Sequence, residues 1–369
     1  MALPTTDIFL RSPYWVNVNE TDLDYVLCDL RVWTGDLTAE PAYPNSKLRS
    51  TSFDNKASFD IAEFARDYVE VTYNGSAESN AVFISYELSF YLKGAENAPA
   101  PETRVYLTGF DGYGTFQDGT NFSWYKQTMI SDTKFTIYPE TNIAVPVKQN
   151  KLIGYKLYTR QPGTANYHNF HNVTGLTPTE NTSSMVRNVN TSNGGVYADR
   201  LTLQYSVGGD EQIDLEYQDC SLFGLTEVYF VNRLGATQQV HFSGKFEVKV
   251  ESKSNTYDRN LIVNGSYNAT RHQKSVLNKN GVVTMRLNTG WINETNNDTI
   301  IELLMSEQVW VKVKTDKLGV GWVPRQSDTY IIPCNVKSES VAIKSKLNDK
   351  LINYTFDLDA AHDWVNNVR

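Results

Sequence analysis

Cysteine is almost absent from this chain. Cys28, Cys220 and Cys334 are the only three in 369 residues, an odd and widely spaced set that provides neither a disulfide framework nor a CxxC metal knuckle. Cys28 and Cys334 fall on apolar strand faces, where a thiol behaves as a small hydrophobe. No run of about 18 apolar residues occurs, so no membrane-spanning helix is expected. Basic residues are the minority. The 34 Lys and Arg stand against 42 Asp and Glu, for a formal charge of −8 and a pI near 5.3, and this argues against a nucleic-acid groove, which needs clustered cations. The opening MALPTTDIFLRSPYW has neither the basic region nor the long apolar core of a secretory signal, so assembly in the cytosol is the expectation. On that footing the sequons at Asn19, Asn264 and Asn353 read as chance products of an Asn- and Thr-rich β protein.

Catalytic signatures are missing too. The chain has no GxSxG, P-loop, GxGxxG or HExxH pattern. Of its five histidines only His168 and His171, in YHNFHN, have metal-like spacing. Zinc takes three or four protein ligands and no third is evident, so plain loop histidines are expected and no metal or cofactor. Asp111, Asp118 and Asn121 in FDGYGTFQDGTNFSW are loosely like a calcium loop but lack EF-hand spacing. Turns explain the glycines better, and a packed or partner-facing loop the aromatics. Asp214, Glu216 and Asp219 lie close together, with the first two on the polar face of a strand, where solvation explains them better than hydrolytic chemistry.

What the chain has in excess is aromatic side chains, 12% of residues with 22 Tyr. They point to β structure first and binding second. The clearest alternation is in Thr329–Arg369. Ile332, Cys334 and Val336 form one strand, Val341, Ile343 and Leu347 a second, and Ile352, Tyr354, Phe356 and Leu358 a third, with Asn348-Asp349 as the turn between the last two. Asp359 is then expected to cap a closing helix with Ala361, Trp364, Val365 and Val368 on one face.

Upstream, Tyr25–Trp33 reads as a strand with Val26, Cys28, Leu30 and Val32 inward. A polar loop through Asn55 follows. Asp60 to Glu63 reads as a capping box opening a short helix that buries Ile61, Phe64, Ala65 and Tyr68. Val69–Tyr73 and Ala81–Lys93 read as strands. The C-terminal third repeats this order: a strand at Val282–Leu287, a capping box at Thr299 to Glu302, and a strand at Val309–Lys314. Both copies carry Arg-x-x-Thr-Gly, at Arg31–Gly35 and Arg286–Gly290. The repeat is either an internal duplication or a coincidence between two short β units. Between the copies lie hairpins at Leu201–Tyr217 and Val228–Phe242 and a strand at Lys245–Glu251, while Ala95–Glu102 and Gln161–Gly195 read as loops. The expected fold is mainly β: tandem antiparallel β-sandwich domains with a few short helices, divided as 1–145, 146–255 and 256–369.

Four stretches carry a resemblance. FLRSPYWV (9–16), FDGYGTFQDG (110–119), VYFVNRLGATQQVHFSGK (228–245) and the closing VKSESVAIKSKLNDKLINYTFDLDAAHDWVNNVR (336–369) resemble virion structural proteins of tailed bacteriophages, notably marine ones. The resemblance implies a non-enzymatic part of the particle at the tail, baseplate or fibre-adaptor region. It would be assembled in the host cytoplasm as a homo-oligomer with other tail proteins, without nucleic acid or membrane insertion. No catalytic residues carry over. Interface aromatics are expected at Tyr113, Trp124, Trp322 and Trp364, each in competition with ordinary core packing. The alternative is a receptor- or glycan-binding tail module, with Tyr113, Trp124 and Tyr125 stacking on host-surface sugar rings. A polysaccharide depolymerase ranks below both, since neither a catalytic constellation nor a β-helix repeat is visible.

Overall fold

In the computed structural model, strands make up 55% of the chain and helix 8%, so the mainly β, sandwich-rich architecture expected from alternation is what forms. The structure describes residues 6–71, 73, 81–94, 102–138, 141–160, 166–177, 186–206, 208–218, 224–314, 329–338, 340, 342 and 351–364. Two compact units divide the chain. The first comprises Met1–Asp219, Tyr229–Val240 and Thr295–Ser306, and the second Cys220–Val228, His241–Glu294 and Glu307–Arg369. The expected boundaries at 145 and 255 fall inside strands, not between elements.

The first unit begins with β1 (Thr6–Phe9), β2 (Trp15–Asn19), β3 (Leu23–Trp33), β4 (Ser46–Thr51), β5 (Lys56–Asp60), α1 (Ala62–Arg66), β6 (Val82–Leu92) and β7 (Val105–Phe110). Its first sheet has the order β1-β7-β6-β3-β4, with β1 parallel to β7. Val26, Cys28, Leu30 and Val32 point inward from β3. Ile84 and Leu88 lie opposite Val32 and Cys28 on β6. The β2–β5 pair and α1 close the other side with Val16, Val18, Ala57, Phe59, Ile61 and Ala65, completing one core.

A second group follows: β8 (Lys134–Ile137), β9 (Ala144–Lys148), β10 (Leu152–Arg160), β11 (Tyr167–Thr174), β12 (Val186–Asn190), β13 (Ser192–Asn193), β14 (Val196–Tyr197), β15 (Arg200–Tyr205) and β16 (Glu211–Tyr217). Strands β11-β10-β15-β16-β8 form a sheet, and Val145, Val147 and Val189 of the β9–β12 pair share a core with its Leu157, Leu201, Leu203, Ile213 and Leu215. A third cluster of Phe9, Trp33, Phe83, Phe110, Met129, Leu234 and Ala236 brings in residues from the 229–240 stretch.

The chain then runs through β17 (Thr226–Val231), β18 (Thr237–Phe242), β19 (Phe246–Asp258), β20 (Lys274–Asn288), β21 (Ile292–Asn293), α2 (Asn297–Leu304), β22 (Val309–Lys314), β23 (Thr329–Val336), β24 (Leu351–Ile352) and β25 (Thr355–Ala360). In the second unit β22, β23, β25, β20 and β19 lie side by side, all antiparallel. Val283, Met285, Leu287, Cys334, Phe356 and Leu358 fill its interior. Within it β19 and β20 form a ribbon far longer than the expected Lys245–Glu251 strand. They stay paired to Asp258 and Lys274, and nearly every residue from Ser252 to Lys279 is exposed.

Several local expectations are corrected. Residues 69–71 and 73 are not strand: Tyr68 and Val69 N–H groups bond back to Ala65 and Arg66 and wind the chain off the helix. Polar edge strands were read as loops, because β4, β11 and β12 lack a strong apolar alternation. Neither capping box forms. Asp60 accepts from Tyr14 N–H and Ala62 N–H, and Thr299 and Glu302 lie inside α2, which starts at Asn297. Phe64 and Tyr68 are partly exposed, and only Ile61 and Ala65 of that face are buried. Asp359 belongs to β25, opposite Thr284 and Asn335, so it caps no helix. Apart from Ala342, which is not strand, the expected strand Val341–Leu347, the Asn348-Asp349 turn and residues 365–369 lie outside the described residues.

The two Arg-x-x-Thr-Gly strands differ in their surroundings. Strand β3 pairs directly with β6, the strand after its helix, whereas β20 pairs with β25 and β19. Helix α1 shares a unit with β3, while α2 belongs to the unit opposite to that of β20.

Candidate functional site

Three of the stretches that carry the resemblance converge within the first unit. Leu10 N–H donates to Phe110 O and Arg11 N–H to Gly112 O, each at 2.9 Å, and Tyr113 N–H donates to Arg233 O at 2.7 Å. Two glycines make this approach feasible. A Cβ on Gly112 would lie 2.5 Å from Arg233 O, and one on Gly235, at φ +77°, 2.7 Å from Asp111 N. Any side chain at either position would force the backbones apart.

Charge then locks the knot. Arg11 grips Asp111 through two parallel bonds of 2.9 and 3.0 Å, with only 8% and 10% of the two side chains exposed. Such a fork is both strong and directional. Arg233 Nη2 donates to Asp118 Oδ2 at 3.2 Å, and its guanidinium stands 5.1 Å from the Phe122 ring and 6.0 Å from the Trp124 ring. Burial pushes the Asp118 carboxyl up, but hydrogen bonds from Thr115 and the Arg233 charge outweigh this and hold it below the usual range. Asn121 clamps Trp15 through both backbone groups, at 2.7 and 3.1 Å. The carboxylates of the calcium-like loop are thus occupied by arginines and hydroxyls, and Asn121 by backbone.

Beneath the knot is a buried acidic pair on α2 and the segment before β8. Asp132 accepts from Thr299 N–H at 3.2 Å and from its hydroxyl at 2.5 Å. Glu302 accepts from the Ser131 hydroxyl and, at 3.5 Å, from Arg233 N–H. Burial is the main cause that pushes Asp132 up to about 6, with Asp298 adding to it. Burial likewise raises Glu302 to about 7, with Asp132 adding to it. Sequence reasoning treated Thr299 and Glu302 as cap residues and missed this role. The available signal was two acids, Asp132 and Glu302, beside apolar runs.

The expected interface aromatics divide. Tyr113 is partly buried in the knot, and burial raises its hydroxyl pKa. Trp124 packs on the third core cluster and donates Nε1–H to Thr128 O at 2.8 Å. Tyr125, by contrast, is 82% exposed, next to Lys126. In the second unit Trp364 lies over Gly281, to whose carbonyl its N–H donates at 2.9 Å, and its side chain is partly exposed. Trp322 lies outside the described residues.

His168 and His171 sit in strand β11, not in a loop, and His171 Nδ1 lies 2.9 Å from Asn193 Nδ2. Among the described residues no three His, Cys, Asp or Glu side chains gather where they could hold a metal ion. Asp214 is taken by Arg200 at 2.7 Å, and Glu216 lies 3.6 Å from Lys134. No described helix is long and apolar enough to cross a membrane.

No protein-family model matches the sequence, and no curated protein is significantly similar to it. Among solved structures, the crystal structure of CBD12 from CALX1.2 is matched at 9% identity over 54% of this chain and 76% of that one, with a TM-score of 0.16.

Proposed function

We propose that this chain is a non-enzymatic structural component of a tailed-phage virion, at the tail, baseplate or fibre-adaptor region, that assembles with its own copies and with other tail proteins. The observation that supports this reading is the convergence of residues 9–16, 110–119 and 228–236 on one knot. The contacting residues of these stretches are a hundred or more positions apart in sequence, yet they meet through backbone contacts, two glycines and paired charges. Their residue types serve rigidity, since an Arg–Asp fork with both members buried is a fixed strut. A scaffold that holds shape under load is well served by such a strut. Mass spectrometry of purified particles is expected to find this chain at many copies per particle; its absence would end the reading.

Receptor or glycan binding is a second reading, favoured by Tyr125 alone. Its ring is 82% exposed, as a sugar-stacking platform requires, whereas Trp124 is engaged in packing. Tyr125→Ala is expected to abolish binding to host cells or a glycan array without lowering the melting temperature. Unchanged binding by this variant would remove Tyr125 from consideration.

A further inference from the structure

We propose that the ribbon from Ser252 to Lys279 is an assembly arm that docks on the acidic body of a second copy of this chain. The proposal rests on the structural reading above and adds to it the partner and the contact.

The ribbon is well formed and nearly uncovered. Strands β19 and β20 stay in register from Phe246–Leu287 out to Asp258–Lys274, with one irregularity between Asn255 and Thr256. Arg259 N–H extends the ladder to Gln273 O at 2.8 Å. At the tip Val263 and Ser266 bridge across Asn264 and Gly265, whose φ values of 52° and 77° are those of a tight hairpin turn. Seven residues from Ser252 to Asp258 reach about 20 Å at strand rise. Among the described residues only two strands are present over this length, because β25 covers β20 no further than Thr284. Both strands are exposed along it.

Such a ribbon is marginal by itself in water. It nevertheless presents Tyr257, Ile262, Val263, Tyr267, Val276 and Leu277, each about half or more exposed. Six large apolar side chains left exposed on one two-stranded ribbon favour cover by another molecule.

Charge selects the occupant. The ribbon carries Lys253, Arg259, Arg271, Lys274 and Lys279 against Asp258, a balance of +4. The whole chain is −8, which leaves −12 on the remainder. A basic, apolar-studded arm and an acidic body in one sequence are complementary between copies. Contact of arm to body is heterologous, so repetition closes into a ring when the rotation permits. Lysines along the edges also discourage indiscriminate edge pairing, which leaves acidic surfaces as the accepted partners.

The test uses the full chain in size-exclusion chromatography with light scattering. Wild type is expected to be oligomeric at low salt and to dissociate at about 1 M salt, where screening acts within roughly 3 Å. A variant with residues 254–279 replaced by Asn-Gly, which joins the paired Lys253 and Asn280 by a two-residue turn, is expected to be monomeric with an unchanged melting temperature. The surface variant Arg259→Glu/Arg271→Glu/Lys274→Glu, which leaves the hairpin intact, is expected to weaken assembly at least tenfold and serves even if the shortened chain does not fold. A wild type that stays monomeric at concentrations on the order of 100 µM, or a shortened chain that keeps its oligomer, overturns the arm. Neither result touches the virion reading, which is decided by the particle mass spectrometry.

Discussion

Arg11 and Asp111 show how much a single pair matters when both members are out of water. Each side chain is about nine-tenths covered, so removing the carboxylate strips a mostly buried guanidinium of its two-bond partner. Asp111→Ala is therefore expected to cost roughly 3–5 kcal/mol in urea unfolding. Lys249→Ala, which breaks an exposed pair with Glu251, is expected to leave the urea midpoint nearly unchanged, because solvent screens that pair. Equal effects of the two would show that the buried fork contributes nothing beyond a surface contact. None of this was visible in the sequence, where Asp111 looked like a member of a calcium-like loop. Its partner lies a hundred positions upstream, and no local pattern announces a pairing at that distance.

Helix α2 carries the element-scale lesson. Its apolar residues Ile300 and Leu303, one turn apart, are buried, but Glu302 is buried with them. The folded protein holds the Glu302 proton up to about pH 7, whereas an unfolded chain releases it near 4.3. Stability from this group is thus full at the acid end and falls as pH rises from about 4.3 to about 7. Glu302→Gln is expected to flatten that fall and to raise the melting temperature at pH 8. A variant whose pH dependence matches wild type would remove Glu302 as its source. Element by element, the strongly alternating strands β3, β6, β15, β16 and β23 lie where the pattern places them, whereas the expected strand through Ile352–Leu358 is split between β24 and β25, which pair in different sheets. Strands β4 and β11 were not legible, because an edge strand with wet residues on both sides has no apolar period to read. Asp359 suits a helix cap by type, but the β20 ladder takes it as strand.

At the scale of the whole molecule the two units are expected to answer pH in opposite directions. His241 belongs to the second unit and is buried, which is the main cause holding its imidazole down to about 4; Glu227 opposes that shift and Lys312 assists it. An unfolded histidine titrates near 6.5, so the second unit loses stability as pH falls from about 6.5 to about 4. Hydrogen exchange on peptides from each unit should show protection of the first improving, and of the second declining, as the buffer is acidified across that range. Parallel changes in both would contradict the assignment. The division of the chain also sets a schedule for synthesis. The first unit needs Tyr229–Val240 and Thr295–Ser306 as well as its N-terminal stretch. A ribosome adding roughly 5–20 residues per second leaves it unfinished for on the order of ten seconds after Asp219 emerges. Through that interval Asp132 lacks the Thr299 donors, and the Asp111 loop, held only by Arg11 and its neighbours, lacks the contacts to Arg233 and Gly235. A fragment ending at Asp219 lacks Arg233, Gly235 and Thr299 and so makes none of these closing contacts.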